Sequence, residues 1–95
     1  MPAVTRIGDA DVTHCSGMVR AQGSSNVFVN GIGVSRQGDN NTTHLLPGVP
    51  CPAHAAPIAS GSSTVKVNGK GCGRVGDGIS ACTSVAAGSS NVFAG

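Results

Sequence analysis

The sequence has no Trp, Tyr or Glu, and only two Phe and two Leu among its 95 residues. The apolar content of 39% therefore consists mainly of Val and Ala, which bury little surface each. Fifteen Gly and five Pro interrupt the chain, which excludes long helices and favours short strands joined by tight turns. We therefore predict a single all-β domain over residues 1–95, with a thin core that needs a staple such as a metal ion.

Charge is also scarce. A net charge of +2 with 11% charged residues gives no basic stripe, and two Phe cannot form a base-stacking platform, so nucleic acid is not an expected partner. No apolar segment approaches the roughly 18 to 20 residues of a membrane-spanning helix, and the N-terminal residues do not resemble a signal peptide. We expect synthesis in the cytoplasm without a cleaved signal, where the four Cys favour metal binding or burial over disulfides.

Two motifs occur three times each and organise the chain. Arg-x-Gly-Asp occupies 6–9, 36–39 and 74–77, and Gly-Ser-Ser-(Asn/Thr)-Val occupies 23–27, 61–65 and 88–92. The distance from Gly23 to Gly38 equals that from Gly61 to Gly76, so the two complete units are structural duplicates. The first and last copies are partial, and we expect the termini to complete a third unit between them, with pseudo-threefold symmetry.

Each unit has the pattern of a hairpin followed by a turn. Residues 27–29 and 65–67 alternate, and Lys66 at the middle position predicts that this position faces outward while the valines face inward. The following Asn-Gly pairs predict type I′ turns. We expect the return strands at 34–36 and around 74–75, and a second turn at each Gly-Asp, where the carboxylate bonds nearby N–H groups.

Potential metal ligands recur in register. Five residues after each motif Asp stand His14, His44 and Cys82, which would converge if the repeats surround an axis. His54 is the natural fourth donor of the four-coordinate shell that structural zinc prefers. An alternative set uses the CxxH spacing of Cys51 and His54. The CxxH spacing alone is weak evidence, and the cysteines outside the repeat position are expected to be buried thiols or half-exposed bystanders: Cys15, Cys51 and Cys72.

Catalysis is not expected. A zinc hydrolase needs an open coordination position and usually a carboxylate base, whereas four protein ligands would close the site. Three of the four acidic residues are motif aspartates, which leaves only Asp11. We interpret the three motif arginines as structural partners of these aspartates. An alternative to any assembly role is a small zinc-stapled binding module that docks another protein through Phe28 and Phe93, which occupy equivalent, outward-facing strand positions.

The three GSS segments, the three RxGD turns and the ligand positions resemble the PAAR-repeat family over essentially the whole chain. Where that family has Pro-Ala-Ala-Arg, this chain has Gly-Val-Ser-Arg at 33–36 and Gly-Cys-Gly-Arg at 71–74. The resemblance implies a conical β-structure with one structural zinc ion near its apex, held by three His and one Cys. Carried over, these ligands are His14, His44, His54 and Cys82.

The resemblance also implies a function. PAAR-repeat proteins cap a trimeric β-helical spike, one monomer to a trimer, and sharpen it for piercing a membrane in a contractile phage tail or a type VI secretion system. We therefore expect a structural protein at a virion tail tip, or one secreted through the contractile apparatus. Its partners would be the spike and, transiently, the target membrane, and any effector would bind non-covalently.

Overall fold

The computed structural model describes residues 2–13, 17–42, 44–45, 53–80 and 82–95; at 44–45 and 53–54 it describes the backbone alone. Six strands of two residues each form three antiparallel pairs. β1 (Phe28–Val29) pairs with β2 (Ile32–Gly33), β3 (His44–Leu45) with β4 (Ala53–His54), and β5 (Lys66–Val67) with β6 (Lys70–Gly71). The described residues form no α-helix, so the predicted all-β class is confirmed. Accordingly, the described part contains no helix long and apolar enough to cross a membrane.

The two Asn-Gly pairs form the turns of β1–β2 and β5–β6. Asn30 and Asn68 have φ angles of 55° and 54°, and the glycines that follow have 76° and 78°. Two successive residues at positive φ define a type I′ turn, whose twist matches that of the paired strands. The predicted hairpins are therefore confirmed, and Asn supplies the side chain that best tolerates this backbone region.

The three Gly-Asp turns are also alike. Their glycines have φ angles between 90° and 93°, and the carboxylate of each Asp accepts hydrogen bonds from the backbone N–H and the guanidinium of the Arg three residues earlier. The ion pairs are Arg6 with Asp9 at 2.9 Å, Arg36 with Asp39 at 2.8 Å and Arg74 with Asp77 at 2.8 Å. The predicted structural role of these arginines is thus confirmed.

The hydrogen bonds and close packing of the three Gly-Ser-Ser segments explain why serine and glycine recur there. In each, the first Ser hydroxyl accepts hydrogen bonds from the N–H groups two and three residues on, which turns the chain into the next strand. The preceding glycine lies directly against backbone: a Cβ on Gly61 would sit 2.6 Å from the carbonyl oxygens of Gly71 and Cys72. Only glycine allows this approach.

A closed ring of backbone hydrogen bonds joins the three units. Thr5 donates to Gly73 at 3.0 Å, Gly73 donates to Ser35 at 2.9 Å, and Ser35 donates to Thr5 at 3.1 Å. Around this ring each motif Arg forms a backbone bridge with the next unit, in the pairs Arg6 with Val34, Arg36 with Cys72 and Arg74 with Val4. Residues 3–6, Ala-Val-Thr-Arg, thus occupy the place of 33–36 and 71–74.

The third unit is completed by residues from both ends of the sequence. Ala3 pairs with Phe93 in the manner that Gly33 pairs with Phe28 in the first hairpin. Val4 also donates to the carbonyl of Val92 at 3.0 Å. The predicted closure is therefore observed, and the hydrogen-bonded backbone has pseudo-threefold symmetry.

Two buried apolar clusters lie along the chain. The first contains the three ring neighbours Val4, Val34 and Cys72, with Val67 and Ala94. The second contains Ala56, Ile58, Ile79 and Val85. The prediction for Cys72, a buried thiol, is confirmed, whereas Cys15 and Cys51 lie outside the described residues.

Two details of the hairpin prediction are wrong. Val29 and Val67 face inward as expected, but Val27 and Val65 are 36% and 39% exposed, because they precede the paired residues and lie in the serine turn. The return strands begin earlier, at 32 and 70, because the tight Asn-Gly turn reverses the chain at once. Val34 still donates to the carbonyl of Val27 within the hairpin at 3.1 Å, and Val34 and Arg36 also form backbone bridges to neighbouring units.

Candidate functional site

The structure describes the four predicted metal ligands to different extents. His14 lies outside the described residues, while His44 and His54 are described through their backbones. Cys82 has a described, half-buried side chain. Among the described side chains no three His, Cys, Asp or Glu cluster closely enough to hold a metal, and three of the four proposed donors are not in that set.

The register of β3 and β4 brings two of the predicted ligand positions together. His44 lies directly opposite His54, and Leu45 lies opposite Ala53. Directly opposed residues of an antiparallel pair share one face of the ladder, at a Cβ separation of roughly 4.5 to 5.5 Å. The sequence argument placed His44 by its distance from Asp39 and added His54 as a fourth donor, and the two positions prove to be neighbours across one hairpin.

Cys82 lies in the turn that follows Ile79. Its N–H donates to the carbonyl of Ile79 at 3.1 Å, and its side chain packs against the second apolar cluster. Burial raises the pKa of the Cys82 thiol, a hydrogen bond from the Asn41 side chain opposes this, and the carboxylate of Asp11 adds to it. The charge of Arg20 also favours the thiolate.

Three buried polar residues lie beside Cys82, in a layer that is otherwise apolar. The carbonyls of Arg20, Ile58 and Val85 accept equivalent hydrogen bonds, from Gly8, Gly38 and Gly76. Asp11, Asn41 and Ile79 each stand two residues after a motif Asp and bridge in turn to Val85, Arg20 and Ile58. Symmetry therefore defines two sets of three equivalent buried places, and of these six places three are filled by aliphatic residues and three by polar ones.

The three polar residues contact one another. Nη2 of Arg20 lies 3.4 Å from Oδ2 of Asp11, and both side chains have 0% exposure. The same Oδ2 accepts a hydrogen bond from Nδ2 of Asn41 at 3.1 Å. Burial lowers the pKa of the Arg20 guanidinium, and the nearby Asp11, Asp39 and Cys82 oppose this. Nε and Nη1 of Arg20 have no hydrogen-bond partner within the described part of the chain.

The donors that the sequence supplies fit a zinc ion in kind. Histidine nitrogen and cysteine sulfur are the usual ligands of structural zinc, and four of them complete its tetrahedral shell. The paired positions 44 and 54 would supply two donors from one hairpin. Burial raises the pKa of the Cys82 thiol, while the neighbouring Asn41 amide and Arg20 guanidinium favour the thiolate form that a metal would bind.

A second surface carries the exposed apolar side chains. Phe28 is 57% exposed and Phe93 49%, and both face outward as predicted, with Lys66 at the equivalent place in the second hairpin. Val27, Val65 and Ile32 are exposed on the same hairpin segments. Two of the three equivalent positions thus expose an aromatic side chain, and exposed apolar surface of this kind can mark a site of contact with a partner.

A ring of polar side chains locks the hairpin turns to their neighbours. Oδ1 of Asn30 accepts from Ser89 at 2.7 Å, and Oδ1 of Asn68 accepts from Ser24 at 2.7 Å. In the third place the backbone oxygen of Gly95 accepts from Ser62. The three hairpin ends are thus held in fixed relative positions.

Comparison of the sequence with protein-family models gave no match, and comparison with curated proteins gave none either.

The sequence argument missed the third copy of the ring segment and the buried polar group. Residues 3–6 could have been found by aligning Arg6 with Arg36 and Arg74. Asp11 and Asn41 could have been found by reading two residues past each motif Asp, since Ile79 at the third place indicates a buried position. Arg20 gave no signal of burial, because a lone arginine is ordinarily an exposed residue.

Proposed function

We propose that this chain is a structural tip protein of the PAAR-repeat kind, which caps a trimeric β-helical spike in a contractile phage tail or a type VI secretion system. Its role in this proposal is mechanical: the tip narrows the end of the spike so that it pierces a membrane. No catalytic step is assigned to it.

The observation that carries the proposal is the closed backbone ring of Thr5, Ser35 and Gly73. Three chain segments bonded in a cycle give a single polypeptide near-threefold symmetry. Such a monomer can offer equivalent contacts to each subunit of a threefold partner, which a monomer without internal symmetry does not. The matching hairpins with their ring of polar side chains support the same reading.

The face proposed to meet the spike is the one that carries Phe28 and Phe93. Exposed aromatics are enriched where a surface is covered by a partner. Their equivalent positions on two of the hairpins would place each against the same feature of two spike subunits. The exposed strands would add backbone contacts to the open strand ends of the trimer.

We propose further that one zinc ion pins the opposite end, held by His14, His44, His54 and Cys82. The ion would act as a crosslink between loops of different repeats and would contribute stability that the small core does not provide. It carries no chemistry beyond this crosslink, because four protein ligands leave no open position.

The test is assembly with the trimeric spike protein encoded beside this chain in its genome. Native mass spectrometry is expected to find one chain per trimer. The double variant Phe28→Ser and Phe93→Ser should bind at least tenfold more weakly while keeping its circular dichroism spectrum, whereas Lys70→Ser, on the β5–β6 hairpin, serves as a polar control. Failure of the wild-type chain to bind the trimer would overturn the proposal.

A second function is favoured by the same two aromatics. A zinc-stapled module that docks a different protein would also use Phe28 and Phe93. The stoichiometry separates the two: a single chain bound to three equivalent subunits indicates the tip, and a complex of one chain with one partner chain indicates the module.

A further inference from the structure

The side-chain amide of Asn41 is oriented without ambiguity. Its Oδ1 accepts a hydrogen bond from the backbone N–H of Ala56 at 2.9 Å. A backbone N–H is always a donor, so the other end of the amide must be Nδ2, and this end faces the carboxylate of Asp11 at 3.1 Å. The amide is therefore fixed at both ends and completely buried.

Arg20 and Asp11 hold this amide in place. The backbone of Arg20 bridges to that of Asn41, and the guanidinium contacts the same Oδ2 that accepts from the amide. The pair adds no net charge beside the site, because the guanidinium and the carboxylate offset one another. A rigid, neutral support of this kind leaves the second hydrogen of Nδ2 available for a neighbour.

Cys82 lies beside this amide. Its side chain packs in the cluster that contains Ala56, the residue whose N–H is held by Asn41. The equivalent place to Asn41 in the third repeat holds Ile79, so an aliphatic residue suits the backbone there equally well. Buried polar side chains usually stabilise a fold no better than aliphatic residues that fit the same places. The three polar residues therefore indicate a role other than stability.

We propose that Asn41 is a positioning residue of the metal centre, which donates its amide N–H to the sulfur of Cys82 and orients it toward the ion, while Asp11 and Arg20 hold the amide. This inference rests on the zinc site of the proposed function. Groups that hydrogen-bond to metal ligands typically change metal affinity 10- to 100-fold when they are removed.

The test uses Co²⁺ bound to the full chain in place of zinc. Asn41→Leu is expected to shift the sulfur-to-cobalt charge-transfer band to lower energy, because a thiolate without its hydrogen bond gives up electron density more easily. Competition with a chromophoric chelator should show affinity for Co²⁺ reduced 10- to 100-fold. The matched control is Ile79→Val, which loosens the equivalent place in the same layer and should leave the band unmoved and the affinity within about twofold.

A measurement on the wild-type chain covers the case in which Asn41→Leu does not fold. With ¹¹³Cd bound, a scalar coupling between the metal and a side-chain amide proton of Asn41 is expected through the N–H···S hydrogen bond. Bound metal with no such coupling, or a band unmoved in a folded Asn41→Leu chain, would overturn this inference and leave the zinc site standing. A wild-type chain that binds no metal would overturn both.

Discussion

The carbonyl of Arg20 accepts a hydrogen bond from Gly8 at 2.8 Å, as that of Ile58 does from Gly38 at 3.0 Å, so a buried arginine and a buried isoleucine occupy equivalent places. The backbones of the two residues make the same hydrogen bond. The guanidinium is accommodated only because Asp11 lies 3.4 Å away in the same layer.

This relationship predicts strong coupling between Arg20 and Asp11. Arg20→Met alone removes the cation that faces a buried carboxylate, and Asp11→Leu alone removes the carboxylate that faces a buried cation. Each is expected to lower the free energy of unfolding by about 3 to 5 kcal/mol. The double variant should be less destabilised than either, since aliphatic residues fit the equivalent places. Urea unfolding of all three measures the coupling, and simple additivity would contradict it.

The proposed metal site predicts different outcomes for substitutions of Cys82 and Cys72. Purified wild-type chain should contain one zinc, and Cys82→Ser should lose it or bind it at least tenfold more weakly because the shell loses its only thiolate. Cys72→Val is the control, since Val4 and Val34 occupy the equivalent places in the first cluster. Elemental analysis gives the metal content. Loss of zinc from a folded Cys72→Val chain, or with Cys51→Ser, would contradict the proposed shell.

Cys72 also predicts a pH dependence. Burial raises the pKa of its thiol above the ordinary value of 9.0. At higher pH the unfolded chain therefore loses the thiol proton before the folded chain does, and stability falls as pH rises through the window between the two pKa values. The slope from this group is at most about 1.4 kcal/mol per pH unit.

Cys72→Val removes this contribution. Its free energy of unfolding, measured in urea under reducing conditions, should fall less steeply above pH 9.0 than that of the wild type. Identical slopes for the two chains would show that the Cys72 thiol is not protected in the folded state.

Two substitutions of Asn68 separate the cost of turn strain from the contribution of its side-chain hydrogen bonds. Its side chain bonds to Ser24, Arg36 and Asn26, while its φ of 54° suits Asn and Gly. Asn68→Gly keeps the backbone angle and loses the bonds, whereas Asn68→Ala loses both. We expect Asn68→Ala to be the less stable by about 1 kcal/mol in thermal unfolding. Equal stabilities would mean that the turn is not strained by a Cβ.

Two glycines predict opposite effects of the same substitution. Gly61→Ala would place a Cβ 2.6 Å from two backbone carbonyls and should cost about 1 to 3 kcal/mol. Gly78 has no heavy atom within 4 Å of the corresponding position and no positive φ, so Gly78→Ala should be neutral or stabilising by up to about 1 kcal/mol. Urea unfolding of both variants is the comparison, and a destabilised Gly78→Ala would contradict the packing argument.

Features that depend on neighbouring residues in the sequence could be predicted. The Asn-Gly hairpins and the Gly-Asp turns follow from residues within four positions of one another, because positive φ angles and local side-chain bonds need particular residue types. The repeat spacing also gave the closure of Ala3 against Phe93.

Features that depend on contacts between repeats could not be predicted. The ring of Thr5, Ser35 and Gly73 uses backbone groups, which every residue has, so its members carry no signature in the sequence. Arg20 is of a type that is ordinarily exposed, and its burial depends on its bridge to Asn41 of another repeat and on the nearby carboxylate of Asp11. The opposition of His44 and His54 depends on the register of β3 against β4, which the spacing of the repeats does not specify.

The backbone ring has a mechanical consequence. A force applied to one of its three segments passes at once to both neighbours through the bonds of Thr5, Ser35 and Gly73. Rupture of a single hydrogen bond does not release a segment, because the second bond still anchors it and the outer bridges of Arg6, Arg36 and Arg74 share the strain. The connectivity of the three segments thus distributes a load over the whole ring, which is a source of rigidity separate from the size of the core.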